Sequence, residues 1–337
     1  MMDKRMFRNL LLAGSAAALM VGFSGLSRSA EVTLSLVHPF PDFLIYTKSC
    51  KAMVAKINAA GKGIVRIDIK GGNEAIKMFQ QPGAVSKGSV DMTCTPAAFY
   101  AQKIPENEAI STSNASPAHV RANGGMALID GLHQKLFNMK YLGWIDSGPG
   151  FHIYTKEAPK FRADGLPDFT GVKMRDNPIY GAFFRALKAT THNMPSSEVY
   201  SALEKGVVNA SAWTSIGLMG LKWDKFLRHR LDPSFYQTDI GVIINLDRWN
   251  GLSAKAREIV QETIIAHENS SRASRLAEVD GEMATLKAGG MQFHDIPAAG
   301  EYLKVALESA YDRMLGRIEE RGRSADDANK LRNLYQK

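Results

Sequence analysis

Twice along this chain a strand, a helix, a strand, a helix and a strand follow in that order, and only a small set of folds accommodates such a run. Val32–Val37 alternates apolar and polar residues, residues 43–60 carry a helical period that stops at Gly61, and residues 64–69 alternate again. A second helical stretch, residues 75–87, ends at Gly88, and residues 90–96 form the next strand. The order returns later with unrelated sequence. Residues 172–175 read as a strand, and Asp176, Asn177 and Pro178 open a helix running to about residue 189. Residues 191–194 make a short strand, Ser197 caps a helix ended by Gly206, and residues 207–213 form the strand after it. Such units build parallel sheets with helices on both faces and leave a ligand crevice at the strands' carboxyl ends. The expected fold class is α/β, with two doubly wound βαβ lobes.

The stretches between and after the two units show how the lobes are joined. Residues 117–139 are helical in pattern, and residues 239–246 are apolar enough for a strand buried in a sheet. Residues 253–287 contain no Pro and one Gly, Gly281, before Gly289 and Gly290 stop the run. About 35 residues at 1.5 Å each extend about 50 Å, longer than one lobe is wide, so the helix is expected to bridge both. Two helices broken near Asn269 are the alternative. The expected organisation is a first lobe over residues 30–150 plus about 238–252, a second over 151–237, and a bridging helix over 253–288. A C-terminal strand and helices over 289–337 pack on the lobes, and crossings at residues 148–150 and 236–239 serve as hinges.

The first 29 residues stand apart. Lys4, Arg5 and Arg8 precede an uncharged apolar run over residues 10–23, and small residues Ser27 and Ser29 suit cleavage just before Ala30. The run is too short to span a bilayer, so residues 1–29 read as a cleavable signal peptide and the mature protein as periplasmic. The leader holds four basic residues (Lys4, Arg5, Arg8, Arg28) and one acidic residue (Asp3). Of the 42 basic and 34 acidic residues of the chain, 38 and 33 remain after its removal. That mild excess is scattered, without the aromatic-interleaved basic cluster of a nucleic-acid binder, so no nucleic acid is expected as a partner.

An exported chain meets an oxidising compartment, where Cys50 and Cys94 are able to pair. Cys50 shares a helical face with Val54 and Ile57, and Cys94 alternates with Met92 and Val90. Two separately buried thiols account for that pattern and are the expectation.

Gly171-Val172-Lys173-Met174-Arg175, then Pro195 and the run from Glu198 to Val208, resemble the signature of solute-binding subunits of tripartite ATP-independent periplasmic (TRAP) transporters. The resemblance extends to His38-Pro39 after the opening strand, to the run from Gly88 to Met92, and to the long helix after Leu252-Ser253. It implies a periplasmic binding-protein fold that captures a small organic acid between its lobes and delivers it to the membrane permease subunits of a sodium-coupled uptake system. It also implies that Arg175 pairs with the solute carboxylate. Topology points to the same residue: Arg175 ends a strand at the crevice, where its planar fork suits a carboxylate and the following helix start adds N–H groups.

Departures from the family pattern bear on the solute. Asn209-Ala210 stands where many members carry Asp-Gly, and Trp213 then offers a flat apolar wall with one N–H donor. Members that bind keto acids through a metal place a carboxylate before the tryptophan; Ala212 stands there, so neither metal nor cofactor is expected. The strand entering the second lobe reads Phe151-His152-Ile153-Tyr154, without the second basic residue some members have, which argues against a dicarboxylate or sialic acid. The candidate contacts beside Arg175 and Trp213 are Tyr154, His152 and Asn177 from the second lobe, Phe99, Tyr100 and His38 from the first, and Gln237 at the crossing. One carboxylate beside an aromatic wall fits a monocarboxylate with an apolar or ring-containing body.

No metal-ligand, nucleophile-elbow, Ser-x-x-Lys or phosphate-loop motif occurs, so the chain is not expected to be an enzyme. A periplasmic sensor for a membrane receptor is the alternative function the residues leave open, and the oligomeric state is open too. N-terminal sequencing of the protein from a periplasmic extract is expected to begin near residue 30. Recovery of an intact Met1 terminus in the membrane fraction would overturn the leader and compartment assignments.

Overall fold

The computed structural model describes residues 30–337, and the predicted leader, residues 1–29, lies outside them. The first unit runs β1 (Val32–Val37), α1 (Ile45–Ala60), β2 (Val65–Gly71), α2 (Gln81–Ser86) and β3 (Met92–Pro96). It is followed by α3 (Glu108–Ser111), α4 (Pro117–Ala122), α5 (Gly125–Phe137) and β4 (Met139–Ile145). Across the first crossing come β5 (Phe151–Thr155), a small ribbon of β6 (Lys160–Phe161) and β7 (Pro167–Asp168), and the second unit. That unit is β8 (Lys173–Asp176), α6 (Gly181–Ala186), β9 (Thr190–Asn193), α7 (Ser196–Glu204) and β10 (Ala210–Thr214). After β11 (His229–Asp232) the chain returns through β12 (Ile240–Asn245), α8 (Leu246–Asn250), α9 (Ala254–Ala288), β13 (Gln292–Asp295), α10 (Ala299–Glu319) and α11 (Asp326–Tyr335).

Two sheets result, ordered β2-β1-β3-β12-β4 and β13-β11-β5-β10-β8-β9. In each, the opening strand of the repeated unit lies between its two successors and runs parallel to both: β1 between β2 and β3, β8 between β9 and β10. The chain reverses beside the carboxyl ends of β1 and β8, and there a crevice opens in each lobe. The apolar β12 is buried at every residue and pairs antiparallel with β3 and β4 in the first sheet. The two crossings run side by side, bridged at Gly150 and Gln237.

The long run is one helix of 35 residues with Ser253 as its N-cap, whose hydroxyl accepts the Ala256 N–H. Its first half packs on the first lobe, where Gln261 donates to the Leu142 carbonyl. Near its far end Glu282 accepts the Gly217 N–H of the second lobe at 2.6 Å, and β13 then joins the second sheet beside β11. The helix α10 also spans both lobes: Tyr302 packs edge-on to Phe183 of α6, while Arg313 donates to the buried Glu108 at 2.7 Å. Among the described residues no helix is long and apolar enough to cross a membrane.

Several expected elements are corrected. The helix over residues 75–87 shrinks to α2, because Pro82 has no N–H and is tolerated only in a first helical turn, where it stands. The stretch 117–139 splits at Gly124, whose φ of 89° suits glycine, and Met139 opens a strand. The helix expected from Pro178 starts at Gly181 and lasts six residues, so it brings no helix start to Arg175.

Cys50 and Cys94 are joined by a disulfide, against the expectation of separate thiols. Both are buried as expected, but α1 lies on the face of β3, and burial on facing surfaces of one layer brings their Cα atoms to 6.3 Å. The bond closes a separation of 44 residues, for which chain entropy alone predicts a stabilisation of about 4 kcal/mol. Thiol titration of unreduced protein is therefore expected to find none free, and Cys50→Ala with Cys94→Ala to lower the denaturation midpoint. Two titratable thiols would exclude the bond.

Candidate functional site

A small cavity lies between the lobes. The first lobe supplies Phe40, Tyr46, Phe99 and Ile240 of β12; the second supplies Phe151, Arg175, Asn177, Ser196, Trp213 and Thr214; Thr238 and Asp239 come from the crossing. Its volume is about 20 Å³, room for one water and far below the space an organic acid needs. The lobes are thus closed on one another, and across the gap the Tyr46 hydroxyl on α1 meets Thr214 Oγ1 on β10 at 2.6 Å.

Arg175 sits on β8, the central strand of the second unit, and is 1% exposed. Its Nε and Nη2 donate to the Met194 carbonyl at 3.0 and 2.8 Å, and Nη1 donates to the Tyr180 hydroxyl. Tyr180 passes its own proton to the Ala212 carbonyl on β10 at 2.9 Å. The guanidinium lies 5.9 Å from the Tyr180 ring centre and 5.8 Å from that of Trp223, both within cation–π range. Three of its five N–H groups are thereby engaged, and one on each terminal nitrogen is left over, as a carboxylate fork requires. Among the described residues no carboxylate lies within 4.0 Å of it; neighbouring Asp176 faces Arg185 at 3.9 Å.

Trp213 stands edge-on to Phe40, with ring centres 6.4 Å apart across the lobes, and to Trp223 at 5.0 Å. Its indole N–H has no partner, and neither does the Ser196 hydroxyl at the start of α7. Asn177 accepts the Ile179 N–H at 2.9 Å and so shapes the turn after β8. Phe99, Arg175, Asn177 and Trp213 are thus brought together as the sequence reading grouped them.

The other candidates do not line the cavity, and their polar atoms are engaged elsewhere. Tyr100 bonds to His133 Nε2 at 2.9 Å, and Tyr154 donates to the Thr214 carbonyl at 3.3 Å. His38 is held by the Phe40 carbonyl and Asp42. His152 lies between Asp232, 3.0 Å from Nδ1, and Ser215, 3.2 Å from Nε2; burial lowers its pKa, opposed by the Asp232 hydrogen bond. Gln237 donates to the carbonyls of Ser113 and Ala115, bracing the hinge.

Sequence reading passed over Phe40, Tyr46, Ser196, Thr214, Thr238 and Asp239. The last had a readable sign: an ionisable residue immediately before the unbroken apolar run of β12 is costly there unless something uses it. Asp239 is 1% exposed, and burial pushes its carboxyl up to about 7, against the pull of hydrogen bonds from Ser111 and the Ala97 N–H.

A family model described as bacterial extracellular solute-binding protein, family 7, matches residues 38–317. The monocarboxylate 2-oxoacid-binding periplasmic protein of Nostoc sp. is 24% identical over 257 residues, 71% of this chain and 66% of that protein. The C4-dicarboxylate-binding periplasmic protein of Rhodobacter capsulatus is 29% identical over 175 residues, 50% of this chain and 51% of that one. The chain thus spans half to two thirds of the length of these curated relatives. The crystal structure of a Bordetella pertussis extracytoplasmic solute receptor binding pyroglutamic acid matches with a TM-score of 0.75 at 16% identity, over 90% of this chain and 99% of that one.

The raised carboxyl of Asp239 has a consequence for stability. Between the unfolded value near 4 and the folded value of about 7 the native state holds the extra proton, so this contribution is fully present at acid pH and lost as pH rises through 7. Asp239→Asn removes that loss, and its melting temperature relative to wild type is expected to rise from pH 5 to pH 8. A gap independent of pH would show that Asp239 is ionised in the same range folded and unfolded.

Proposed function

Since the chain belongs to family 7 of the bacterial extracellular solute-binding proteins, we propose that it is a periplasmic receptor that captures a small organic acid between its lobes and delivers it to the permease subunits of a TRAP-type transporter. The observation that carries this reading is the Arg175 guanidinium, buried, facing the cleft, and without a carboxylate of the protein. A buried cation without an anion is expensive, and one that keeps an N–H free on each terminal nitrogen is built to receive a carboxylate. The solutes named for the relatives all offer such a group: a monocarboxylate 2-oxoacid and pyroglutamic acid carry one carboxylate and a C4-dicarboxylate carries two.

The lobes part to admit the solute, since the closed cavity holds no more than a water, and close on it by rotating about the paired crossings. Trp213, Phe40 and Phe99 then form walls for the body of the solute. Ala212 offers no metal ligand beside Trp213, so Arg175 meets the carboxylate directly.

The test is calorimetric titration of the best acid found in a thermal-shift screen. Arg175→Ala leaves the solute's charge buried and unpaired, at a cost of about 2 to 5 kcal/mol, so affinity is expected to fall at least about thirtyfold. Arg175→Lys keeps the charge without the fork and recovers only part of the loss. Wild-type affinity in the Ala variant would remove Arg175 from the site.

A further inference from the structure

We propose that Asp239 is a second point of recognition in the cleft, and that the solute therefore carries an N–H or O–H donor beside its carboxylate. The inference rests on the reading of Arg175 as the carboxylate anchor and adds the opposite pole of the site.

Six carboxylates are fully buried among the described residues, and five of them have a guanidinium within 4.0 Å. Glu106 has Arg323, Glu108 has Arg313 and Arg317, Asp146 has Arg275, Asp176 has Arg185, and Glu268 has Arg121. Asp239 has none. Of the two buried arginines, Arg230 is paired with Asp232 at 2.7 Å, and Arg175 has no carboxylate. The one buried anion and the one buried arginine left without an opposite charge line the same cavity, and they do not pair with each other.

Half of the Asp239 carboxylate is provided for. Its Oδ2 accepts from Ser111 Oγ at 2.7 Å and from the Ala97 N–H at 3.2 Å, which fixes its orientation. Its Oδ1 is buried and has no partner. A desolvated carboxylate oxygen held in place by its twin is an acceptor waiting for a donor. A solute that lays its carboxylate on Arg175 and a donor on Asp239 satisfies both groups at once. Small acids bearing a hydroxyl, an ammonium or a lactam N–H meet that requirement. The unpartnered Trp213 N–H and Ser196 hydroxyl are left for other polar atoms of the solute, while the aromatic walls take its carbon frame.

Matched acids decide the matter. Propionate, pyruvate, lactate and alanine share a three-carbon frame with no donor, an acceptor only, a hydroxyl and an ammonium; cyclopentanecarboxylate, pyroglutamate and proline carry no donor, a lactam N–H and a secondary ammonium on a five-membered ring. Titrated into the full mature protein at pH 8, above the Asp239 value of about 7, a donor-bearing acid in at least one set is expected to bind about tenfold or more tightly than its donor-free counterpart, the scale of a hydrogen bond to a charged group. The lactate and alanine arms separate a neutral donor from a cationic one.

In Asp239→Asn the amide oxygen is claimed by Ser111 and the Ala97 N–H, which turns the NH₂ group toward the cavity. The preference is then expected to reverse toward acceptor-bearing acids such as pyruvate. Equal binding across each set in wild type, or an unchanged ranking in Asp239→Asn, would overturn the assignment of Asp239. The wild-type ranking decides alone if that variant does not fold. Arg175→Ala is expected to weaken every acid while keeping the ranking. Binding that depends on Arg175 but ignores the donor sinks only the present inference; binding of no acid sinks the receptor reading with it.

Discussion

A guanidinium without an anion, 1% exposed, sets the terms for the second lobe. Removing such a charge from water costs several kcal/mol even after relaxation, so the surroundings have to compensate it in part. They do so with one carbonyl used twice, one phenol and two aromatic faces. Each depends on strand order. Met194 follows β9 and Ala212, which holds Tyr180 in place, is on β10, the two parallel neighbours of β8. A slip of one residue in β8 would turn Arg175 to the other face of the sheet and leave the Tyr180 and Met194 acceptors idle, so the register of this parallel unit and the cradle specify each other.

The lobes are held in a fixed relation by more than the two crossings. The helix α9 ties Glu282 to the N–H groups of Gly217 and Met219, beside the wall that Trp213 forms. The helix α10 reaches from Phe183 in the second lobe to Glu108 in the first. Burial raises the Glu108 pKa, while Arg313 and Arg317 pull it down, so the pair serves orientation more than net stability. These ties add to the crossings in fixing the two lobes relative to each other.

Most of the architecture was legible because it rests on periodicity. Val32–Val37, the buried run of β12 and the long helix α9 were all read near their true bounds, each with a pattern too long or too apolar to be mistaken. The errors fell where local chemistry overrode the pattern. Pro82 truncated α2, and β4 went unseen because its apolar run follows a helix with only Asn138, at φ 47°, to mark the turn. The disulfide is not legible in the burial pattern of either cysteine alone, because pairing depends on which layers face each other. At the site, strand-end topology led to Arg175 and Trp213. Placement after a strand was insufficient for His38 and Tyr100, whose polar atoms find partners inside their own lobe. Asp239 stands just before β12 in the crossing, and no local pattern tells which buried carboxylates have a guanidinium beside them once the chain is folded.

The pairing of the other buried charges gives the unpaired ones their meaning. Glu108 and Glu268 have guanidinium partners within the protein. Arg175 and Asp239 are compensated only in part, by neutral groups. Under the proposed pairing, closing the cleft without a solute carries a desolvation penalty that closing around one relieves. A ligand shifts an equilibrium by its difference in affinity for the two states, and under the proposed pairing that difference resides in the remaining bonds of these two groups. Filling either position with a permanent counter-charge would stabilise the closed fold and remove the dependence on solute, which is the trade expected where a site is retained at a cost in stability.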